Sequence, residues 1–291
     1  MATAVTVISA IIPGLLWLWV FTHGRSYKGA PHRILFVAFV FGMLSVIPAF
    51  LIESRFIDEE AIGFEVTDFS TLAVAMFFIV GPVEEASKFL SVRLGVYRTR
   101  HLREPLDGLI YGAAASLGFA TLENIGYAFA YGPEVMIARG PVSTVAHVIF
   151  GSMWALTLNP GAPRARRRLT GLAGLLGAAF LHSLFNVLAF SGWGILFALP
   201  LVIVGMFVVL RMLRRVKARS AYHLRRNVPL KICPVCRTAV HIRDNYCQGC
   251  GTRTSAIESA QLICSNCKHV SGSDAKFCNS CGDLFVFDDE R

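Results

Sequence analysis

The chain has 291 residues, of which 54% are hydrophobic and only 16% are charged. Soluble domains usually have roughly 45–50% apolar and about 25% charged residues, so this composition argues against a soluble protein. The net charge of +9 would suit a nucleic-acid-binding protein, but the basic residues are concentrated in alternate loops between long apolar stretches. The composition therefore favours an integral membrane protein, and no nucleic acid is expected as a partner.

Seven apolar stretches are long enough to cross a bilayer, which requires about 20 residues in a helix. In chain order they are Ala4–Phe21, Ile34–Ile52, Thr71–Leu90, Leu106–Ala130, Val135–Leu158, Leu169–Phe190 and Trp193–Leu213. No basic residue precedes the first stretch, so we interpret it as a span and not as a cleaved signal peptide. Residues 1–213 are therefore predicted to form an all-α polytopic membrane bundle of about seven transmembrane helices.

The connections between these stretches alternate in charge. Those after the first, third and fifth stretches, and the tail after the seventh, are rich in Lys and Arg. The opposite connections, including residues 53–68, are mainly acidic, and Arg55 and Arg139 are their only basic residues. Short basic loops stay in the cytoplasm, so we expect the N-terminus outside and the C-terminus inside, at the plasma membrane. Residues 214–230 are assigned as a basic juxtamembrane linker, and the cation-rich stretch 211–226 suits anionic lipid.

Ionisable and polar residues interrupt the third to sixth stretches. A charged side chain at the centre of a span costs about 2.5–3.5 kcal/mol on insertion scales, so such residues are candidates for a functional site. The residues concerned are Glu84, Glu85 and Lys88 in the third stretch, Asp107, Glu123 and Asn124 in the fourth, His147 in the fifth, and His182 and Asn186 in the sixth.

Helical spacing predicts how these residues are arranged. Glu84 and Lys88 are four residues apart and can pair, with Lys88 extending towards the cytoplasmic interface. Straight helices would place Glu84 and Glu123 at different depths, ~10 and ~25 Å from the cytoplasmic end. A tilt, or a kink at Pro82 or Pro141, is therefore needed to bring them together. Simpler interpretations remain open at this point, namely an isolated ion pair, polar contacts between helices and, for Asp107, an acid at a helix start.

The tail contains a repeated cysteine pattern, which predicts two metal sites. Two CxxC pairs separated by ten residues occur twice, as Cys233, Cys236, Cys247 and Cys250, and as Cys264, Cys267, Cys278 and Cys281. Two such pairs complete a tetrahedral Zn²⁺ site, and disulfides are disfavoured in the cytoplasm. Residues 231–253 and 262–284 are thus predicted to be two small zinc-ribbon modules, each with one structural Zn²⁺, because four thiolates leave no open position.

The ribbons are predicted to contact protein and not nucleic acid. Residues 228–291 carry as many acidic as basic residues, and eight thiolates with two Zn²⁺ add about four negative charges. A nucleic-acid binder would present a basic face. A cytoplasmic protein partner is the favoured hypothesis, and a solvated appendage without a partner remains open.

The membrane domain resembles the PrsW family of intramembrane proteases, within the wider superfamily of CAAX-processing and bacteriocin-processing proteases. The resemblance covers roughly residues 70–190. The features that carry it are Glu84-Glu85-x-x-Lys88, Asp107-Gly108-x-x-Tyr111-Gly112, Phe119-x-x-x-Glu123-Asn124, His147 and His182-x-x-Phe185-Asn186.

This resemblance implies hydrolysis of a peptide bond in a membrane-anchored protein, such as an anti-sigma factor. Carried over to this chain, Glu84 and Glu85 are the catalytic glutamates, one of them acting as general base and oriented by Glu123 or His147. His182 and Asn186 would stabilise the oxyanion. The same residues could instead bind a catalytic metal through His147, His182 and a glutamate, and a metal-free mechanism is the preferred of the two.

Two other classes of function fit some of these features. A non-proteolytic membrane sensor or scaffold could recruit cytoplasmic partners through the ribbons, but it would have no use for the paired glutamates. An ion or proton transporter could use the same acids, but the sequence has no inverted repeat to support it.

Overall fold

The computed structural model describes residues 2–22, 32–57, 68–97, 99, 101–102, 105–158, 164–191, 194–218, and parts of the cysteine-rich tail between 230 and 282. The described tail residues are 230–233, 235–237, 239–241, 246–247, 250–253, 262–264, 267, 269–272, 275 and 277–282. The acidic residues 58–67, residues 219–229 of the basic linker, and Trp193 lie outside the described residues. The chain divides into two compact units, Met1–Val216 and Lys217–Arg291.

The first unit is built from α-helices, as predicted from its apolar stretches. The helices are α1 (Ala2–Thr22), α2 (His32–Leu44), α3 (Val46–Phe56), α4 (Phe69–Ala75), α5 (Gly81–Gly95), α6 (Pro105–Tyr131), α7 (Met136–Ala138), α8 (Thr144–Ala155), α9 (Arg164–Phe190) and α10 (Gly194–Ala218). Six segments of the described chain are long and apolar enough to cross a membrane: Thr3–Val20, His32–Phe56, Phe69–Gly95, Pro133–Ala155, Arg168–Phe190 and Leu196–Val216. With α6, which contains the fourth predicted stretch, the count is near seven and the fold class is confirmed.

α6 is the central helix of the bundle. Every residue from Leu106 to Thr121 is buried, and the helix packs against α1, α2 and α8. Its contact with α2 depends on glycine, because a Cβ on Gly42 would collide with the backbone carbonyl of Ala115, and one on Gly118 with that of Phe39. Small residues allow two membrane helices to approach closely. A helix enclosed by protein in this way can carry polar side chains that would be costly against lipid.

Two π-helical turns interrupt the bundle near the prolines that the sequence identified as possible kinks. The turn Met76–Val80 joins α4 to α5, whose second residue is Pro82, and the turn Arg139–Ser143 contains Pro141. A π turn contains one residue more than an α-helical turn, so it changes the direction in which the later side chains of the helix point. The first turn is tied to α9, since the Ser183 hydroxyl donates to the carbonyl of Met76 at 2.6 Å.

The second apolar stretch extends further than predicted. Residues 53–56 belong to α3, so the assignment of Glu53 to an acidic loop was wrong. Asp68 begins the next helix by accepting hydrogen bonds from the backbone N–H groups of Ser70 and Thr71. Together with the hydroxyls of Thr71 and Ser70, these donors lower the pKa of Asp68 to about 2, which is the usual behaviour of a carboxylate that accepts several hydrogen bonds.

The second unit contains a four-stranded antiparallel sheet in the order β2-β1-β3-β4. The strands are β1 (Leu230–Ile232), β2 (Ala239–His241), β3 (Leu262–Ile263) and β4 (Val270–Ser271). Each cysteine repeat supplies one hairpin, and β1 pairs with β3 at Leu230 and Ile263. The two predicted modules therefore share one sheet.

Candidate active site

Five of the predicted site residues meet inside the helical bundle. They are Glu84 and Glu85 on α5, Glu123 on α6, His147 on α8 and His182 on α9, joined by contacts of 2.9–3.7 Å. The different depths expected of straight helices were therefore misleading. The π turns lie directly before α5 and α8, the helices that carry the glutamate pair and His147.

Lys88 occupies the centre of this cluster. Its side chain is fully buried, so the prediction that it extends to the cytoplasmic interface was wrong. Its ammonium group donates to Oε2 of Glu84 at 3.1 Å, to Oε1 of Glu85 at 2.9 Å and to Nδ1 of His147 at 2.9 Å. The ring of Phe119 covers it, with the centroid 4.1 Å from Nζ. All three N–H donors of the ammonium group thus have an acceptor, as a buried charge requires.

Glu85 is enclosed by protein and does not line the cavity described below. Beyond Lys88, its Oε2 accepts from Nε1 of Trp154 at 2.9 Å, and its Oε1 lies 3.0 Å from Nδ1 of His182. A carboxylate can only accept, so Nδ1 of His182 carries the hydrogen. In the neutral ring, Nε2 is then free of hydrogen and lies 3.7 Å from Oε2 of Glu84. The ring of Phe150 stacks on His182 and restrains it.

Sequence reasoning missed Trp154, because a tryptophan within an apolar stretch looks like ordinary packing. Replacing Trp154 with Phe should keep the ring contact with Phe89 but leave Oε2 of Glu85 without its indole donor. A buried acceptor that loses its partner costs about 1–3 kcal/mol, so we expect a lower melting temperature by circular dichroism in detergent. Trp19→Phe, on an exposed position of α1, is the matched control. Equal melting of the two variants would contradict this role of Trp154.

His147 is held between Lys88 and Glu123. Because Lys88 donates to Nδ1, the hydrogen of the neutral ring is on Nε2, which lies 2.9 Å from Oε2 of Glu123. The His147 and His182 rings meet edge to face with centroids 5.0 Å apart. The cluster therefore presents two oriented imidazoles beside three carboxylates.

Arg139 completes the cluster, although its sequence context suggested an outer loop. Its Nη2 donates to Oε1 of Glu123 at 2.7 Å and its Nε to Oδ1 of Asn124 at 2.9 Å. The guanidinium lies over the ring of Tyr127 at 3.6 Å. The only sequence signal was an arginine between two interrupted apolar stretches, which cannot be distinguished from a loop cation by charge patterning.

A cavity of 410 Å³ lies against one side of the cluster. Glu84, Glu123, Asn186 and Glu53 line it, together with mainly apolar and aromatic side chains. The structure thus brings Asn186 to the cavity beside the two carboxylates, whereas Glu85, His147 and His182 do not line it. Asp107, the remaining acid of the fourth stretch, is buried in the first turn of α6 and does not line this cavity either.

The cluster also contains a set of donors that fits a metal ion. Glu84, His147 and His182 each offer one ligand atom, and the three atoms lie within 4.8 Å of one another. Two imidazoles and one carboxylate are the ligand types of catalytic zinc sites, which keep a fourth position open. The residues present are therefore compatible with a catalytic metal as well as with a metal-free site.

Paired carboxylates and histidines enclosed by membrane-length helices, beside a cavity, are an arrangement that suits hydrolysis within a polytopic membrane protein. The family model described as PrsW family intramembrane metalloprotease matches residues 30–213, and the chain belongs to this family. It is an integral membrane peptidase, a hydrolase of peptide bonds whose family implies a membrane-anchored substrate.

Three relatives called Protease PrsW illustrate the similarity. The protein of Geobacillus kaustophilus is 31% identical over 189 residues, which are 64% of this chain and 81% of the relative. The protein of Shouchella clausii is 29% identical over 196 residues, 66% and 87% of the two chains. That of Bacillus subtilis is 30% identical over 220 residues, 74% and 96% of the two chains. No solved structure matches this chain.

The tail matches a second family model, described as Double zinc ribbon, over residues 230–282. Each cysteine quartet forms one cluster, with sulfur pairs 3.6 and 3.5 Å apart in the first and 3.6 and 3.4 Å apart in the second. A tetrahedron with Zn–S bonds of about 2.3 Å has sulfur atoms ~3.8 Å apart, so the quartets fit Zn²⁺. These clusters and the matched domain indicate structural zinc sites.

The local backbone prepares the thiols for metal binding. Gly251 and Gly282 have φ of +73° and +71°, and their N–H groups donate to the carbonyls of Cys247 and Cys278. The glycines that follow each second cysteine pair therefore supply the backbone turn around the sulfur atoms. The backbone N–H groups of Cys236 and Val235 lower the pKa of the Cys233 thiol, which favours the thiolate form that binds zinc.

Proposed function

We propose that the chain hydrolyses a peptide bond of a membrane-anchored protein at the carboxylates that line the 410 Å³ cavity. The observation that supports this most strongly is the asymmetry of the glutamate pair. Glu84 faces the cavity, whereas Glu85 is enclosed and bonded to Lys88, Trp154 and His182. One carboxylate is thus accessible to water and substrate, and the other is placed to hold the site together.

In this proposal Glu84 is the general base that takes a proton from the attacking water. Lys88 donates to Oε2 of Glu84, so the carboxylate is oriented before substrate arrives. Glu123, which lines the cavity and contacts His147, would orient the water from a second side. Asn186 is the donor we assign to the developing oxyanion, because an amide at the cavity wall can donate to it.

His182 suits oxyanion stabilisation less well than the sequence suggested. Its Nδ1 hydrogen points at Glu85, so in the neutral ring Nε2 has no hydrogen to donate. We therefore propose that His182 holds Glu85 through its Nδ1 hydrogen in the metal-free mechanism, or binds the metal in the alternative one. A divalent ion held by Glu84, His147 and His182 would polarise the scissile carbonyl and acidify a bound water.

The cavity offers a route for the substrate from one end of the bundle. It extends from Glu84 to Ile57, which follows α3, and to Tyr131, the last residue of α6. If the N-terminus is outside, as the loop charges predict, this end faces the outer side of the plasma membrane. The zinc ribbons, 231–253 and 262–284, would then lie in the cytoplasm after the linker 214–230, where we propose that they bind a protein partner.

The direct test is cleavage in a defined membrane. The purified full-length chain, reconstituted in lipid vesicles with a single-pass protein as substrate, should release two fragments whose ends are identified by mass spectrometry. Substrates cleaved at different membrane depths would report the position of the site. Failure to cleave any anchored substrate, with binding of a soluble protein to the ribbons, would instead support the sensor or scaffold alternative.

Metal analysis of the full-length chain should separate the two mechanisms. The two ribbons should hold two zinc equivalents, and Cys247→Ser should remove one of them, since a structural site needs all four ligands. We expect His147→Ala with His182→Ala to leave the metal content unchanged if hydrolysis is metal-free. Loss of a further equivalent in that double variant, together with loss of cleavage, would establish the metal-dependent mechanism. Ser280→Ala, at an exposed position between Cys278 and Cys281, is the control for the tail.

A further inference from the structure

We propose that Arg139 is a positioning residue of the hydrolytic site: its guanidinium holds Glu123 against His147 and so sets the orientation of His147 towards Glu84 and His182. This inference rests on the proposed function, because it assigns Arg139 a role in the same site. Arg139 is the first residue of the π turn Arg139–Ser143. A regular α-helix in place of this turn would bring a different set of side chains towards the cluster.

The contacts form a chain from Arg139 to the cavity carboxylate. Nη2 of Arg139 binds Oε1 of Glu123 at 2.7 Å, which leaves Oε2 of Glu123 to contact Nε2 of His147 at 2.9 Å. The opposite ring nitrogen of His147 accepts from Lys88, which also binds Glu84. Every contact as far as Lys88 joins different elements, and only the last one, between Lys88 and Glu84, lies within α5. A rotation of Glu123 would therefore remove the contact at Nε2 of His147.

The guanidinium itself has restricted freedom. Its Nε donates to Asn124 and its face lies on the ring of Tyr127. The Arg139 and Glu123 side chains are only 12% and 18% exposed. The planar guanidinium of Arg139 forms a charge-assisted hydrogen bond with a carboxylate and stacks on an aromatic ring. The ammonium group of a lysine cannot reproduce this geometry.

The junction between α6 and α8 has a separate structural tie, which allows the two roles to be distinguished. Asn124 donates to the Thr144 hydroxyl at 2.9 Å, and that hydroxyl donates to the backbone carbonyl of Arg139 at 3.0 Å. These bonds hold the broken helix against α6 without the guanidinium. The guanidinium adds its contacts with the carboxylate of Glu123 and with Oδ1 of Asn124.

The side chain of Arg139 also lines a second cavity, of 160 Å³, which shares Tyr127, Asn186 and Phe190 with the larger one. Truncation to alanine would therefore leave a space continuous with an existing cavity. A small guanidinium ion added to the buffer can enter such a space and restore the missing contact with Glu123.

The experiment compares Arg139→Ala, Arg139→Lys and Thr144→Ala in the vesicle cleavage assay, with the exposed Arg55→Ala as a surface control. Loss of a group that orients a site residue usually costs about 10- to 100-fold, so we expect kcat of Arg139→Ala to fall by that factor. The KM of Arg139→Ala should change little, and added guanidinium should raise its kcat. The kcat of Arg139→Lys should lie between those of the wild type and the alanine variant. Thr144→Ala should lower the melting temperature while keeping kcat near that of the wild type.

The inference is overturned if Arg139→Ala keeps the wild-type kcat, or if its kcat falls no further than that of Thr144→Ala and guanidinium does not restore it. Should the alanine variant fail to fold, Arg139→Lys decides: an unchanged kcat in a folded lysine variant also overturns the inference. These outcomes are separate from failure of the proposed function, in which Glu84→Ala and Glu85→Ala would both retain full activity.

Discussion

Glu84→Ala is expected to abolish cleavage of a membrane-anchored substrate while the chain remains folded. Glu84 is the member of the glutamate pair that faces the 410 Å³ cavity, and removal of a general base typically lowers kcat by about 10²- to 10⁴-fold. Glu84→Gln keeps the shape of the side chain and its contact with Lys88 but cannot accept a proton, so it should be similarly inactive. The measurement is kcat in lipid vesicles at saturating substrate.

Glu85→Ala should lose activity for a different physical reason, which a stability measurement can show. Glu85 accepts from Lys88, Trp154 and His182 in a fully enclosed position, so its removal leaves several buried donors without an acceptor. We expect this variant to lose both activity and thermal stability, whereas Glu84→Ala loses mainly activity. Glu134→Ala, at an exposed glutamate, should behave as wild type. Full activity in both Glu84→Ala and Glu85→Ala would rule out the proposed site.

Lys88→Met should have the largest effect on stability. The methionine side chain has a similar length but carries no charge, so Glu84, Glu85 and His147 would lose the donor that now joins them. Breaking a buried ion pair by removing one partner costs about 3–5 kcal/mol, which is a large part of the stability of a typical domain. The melting temperature by circular dichroism in detergent should fall clearly, and cleavage should be lost.

Two further variants make this expectation specific to the buried charge. Arg93→Met removes an exposed cation from the same helix, α5, and should leave the melting temperature nearly unchanged. Combining Lys88→Met with Glu84→Gln removes one of the uncompensated carboxylates, so this double variant should melt above Lys88→Met alone. If the melting temperature of Lys88→Met equals that of the wild type, Lys88 does not hold the cluster together.

The contrast between Lys88 and Arg139 shows where sequence reasoning stops in a membrane protein. Both were assigned to an interface or a loop, because a cation near the end of an apolar stretch normally reaches water. In the structure both are enclosed: Lys88 binds the two glutamates of its own helix and His147 of α8, and Arg139 binds Glu123 of α6. Spacing along one helix identifies neighbours on that helix, but it does not identify a partner 15 or 59 positions away.

The zinc quartets were predictable for the opposite reason. Their ligands lie close together in the sequence, and four thiolates at this spacing leave little freedom of interpretation. What the sequence did not contain was the pairing of β1 with β3, which places both repeats in one sheet. That pairing depends on two short strands from different repeats and has no local signal.

The sequence by itself determined that this protein crosses a membrane, that it carries two four-cysteine zinc sites, and which ionisable residues deserved a functional interpretation. These conclusions follow from composition, from the spacing of the cysteines and from the cost of placing charge in a bilayer, all of which are properties of single residues and local stretches. Only the tertiary structure decided that Glu84 faces the cavity while Glu85 is enclosed, that Trp154 and Arg139 belong to the cluster, and which nitrogen of each histidine carries the hydrogen. The physical reason is that each of these features depends on contacts between helices. The two π turns and the close packing around α6 set the orientation of those helices.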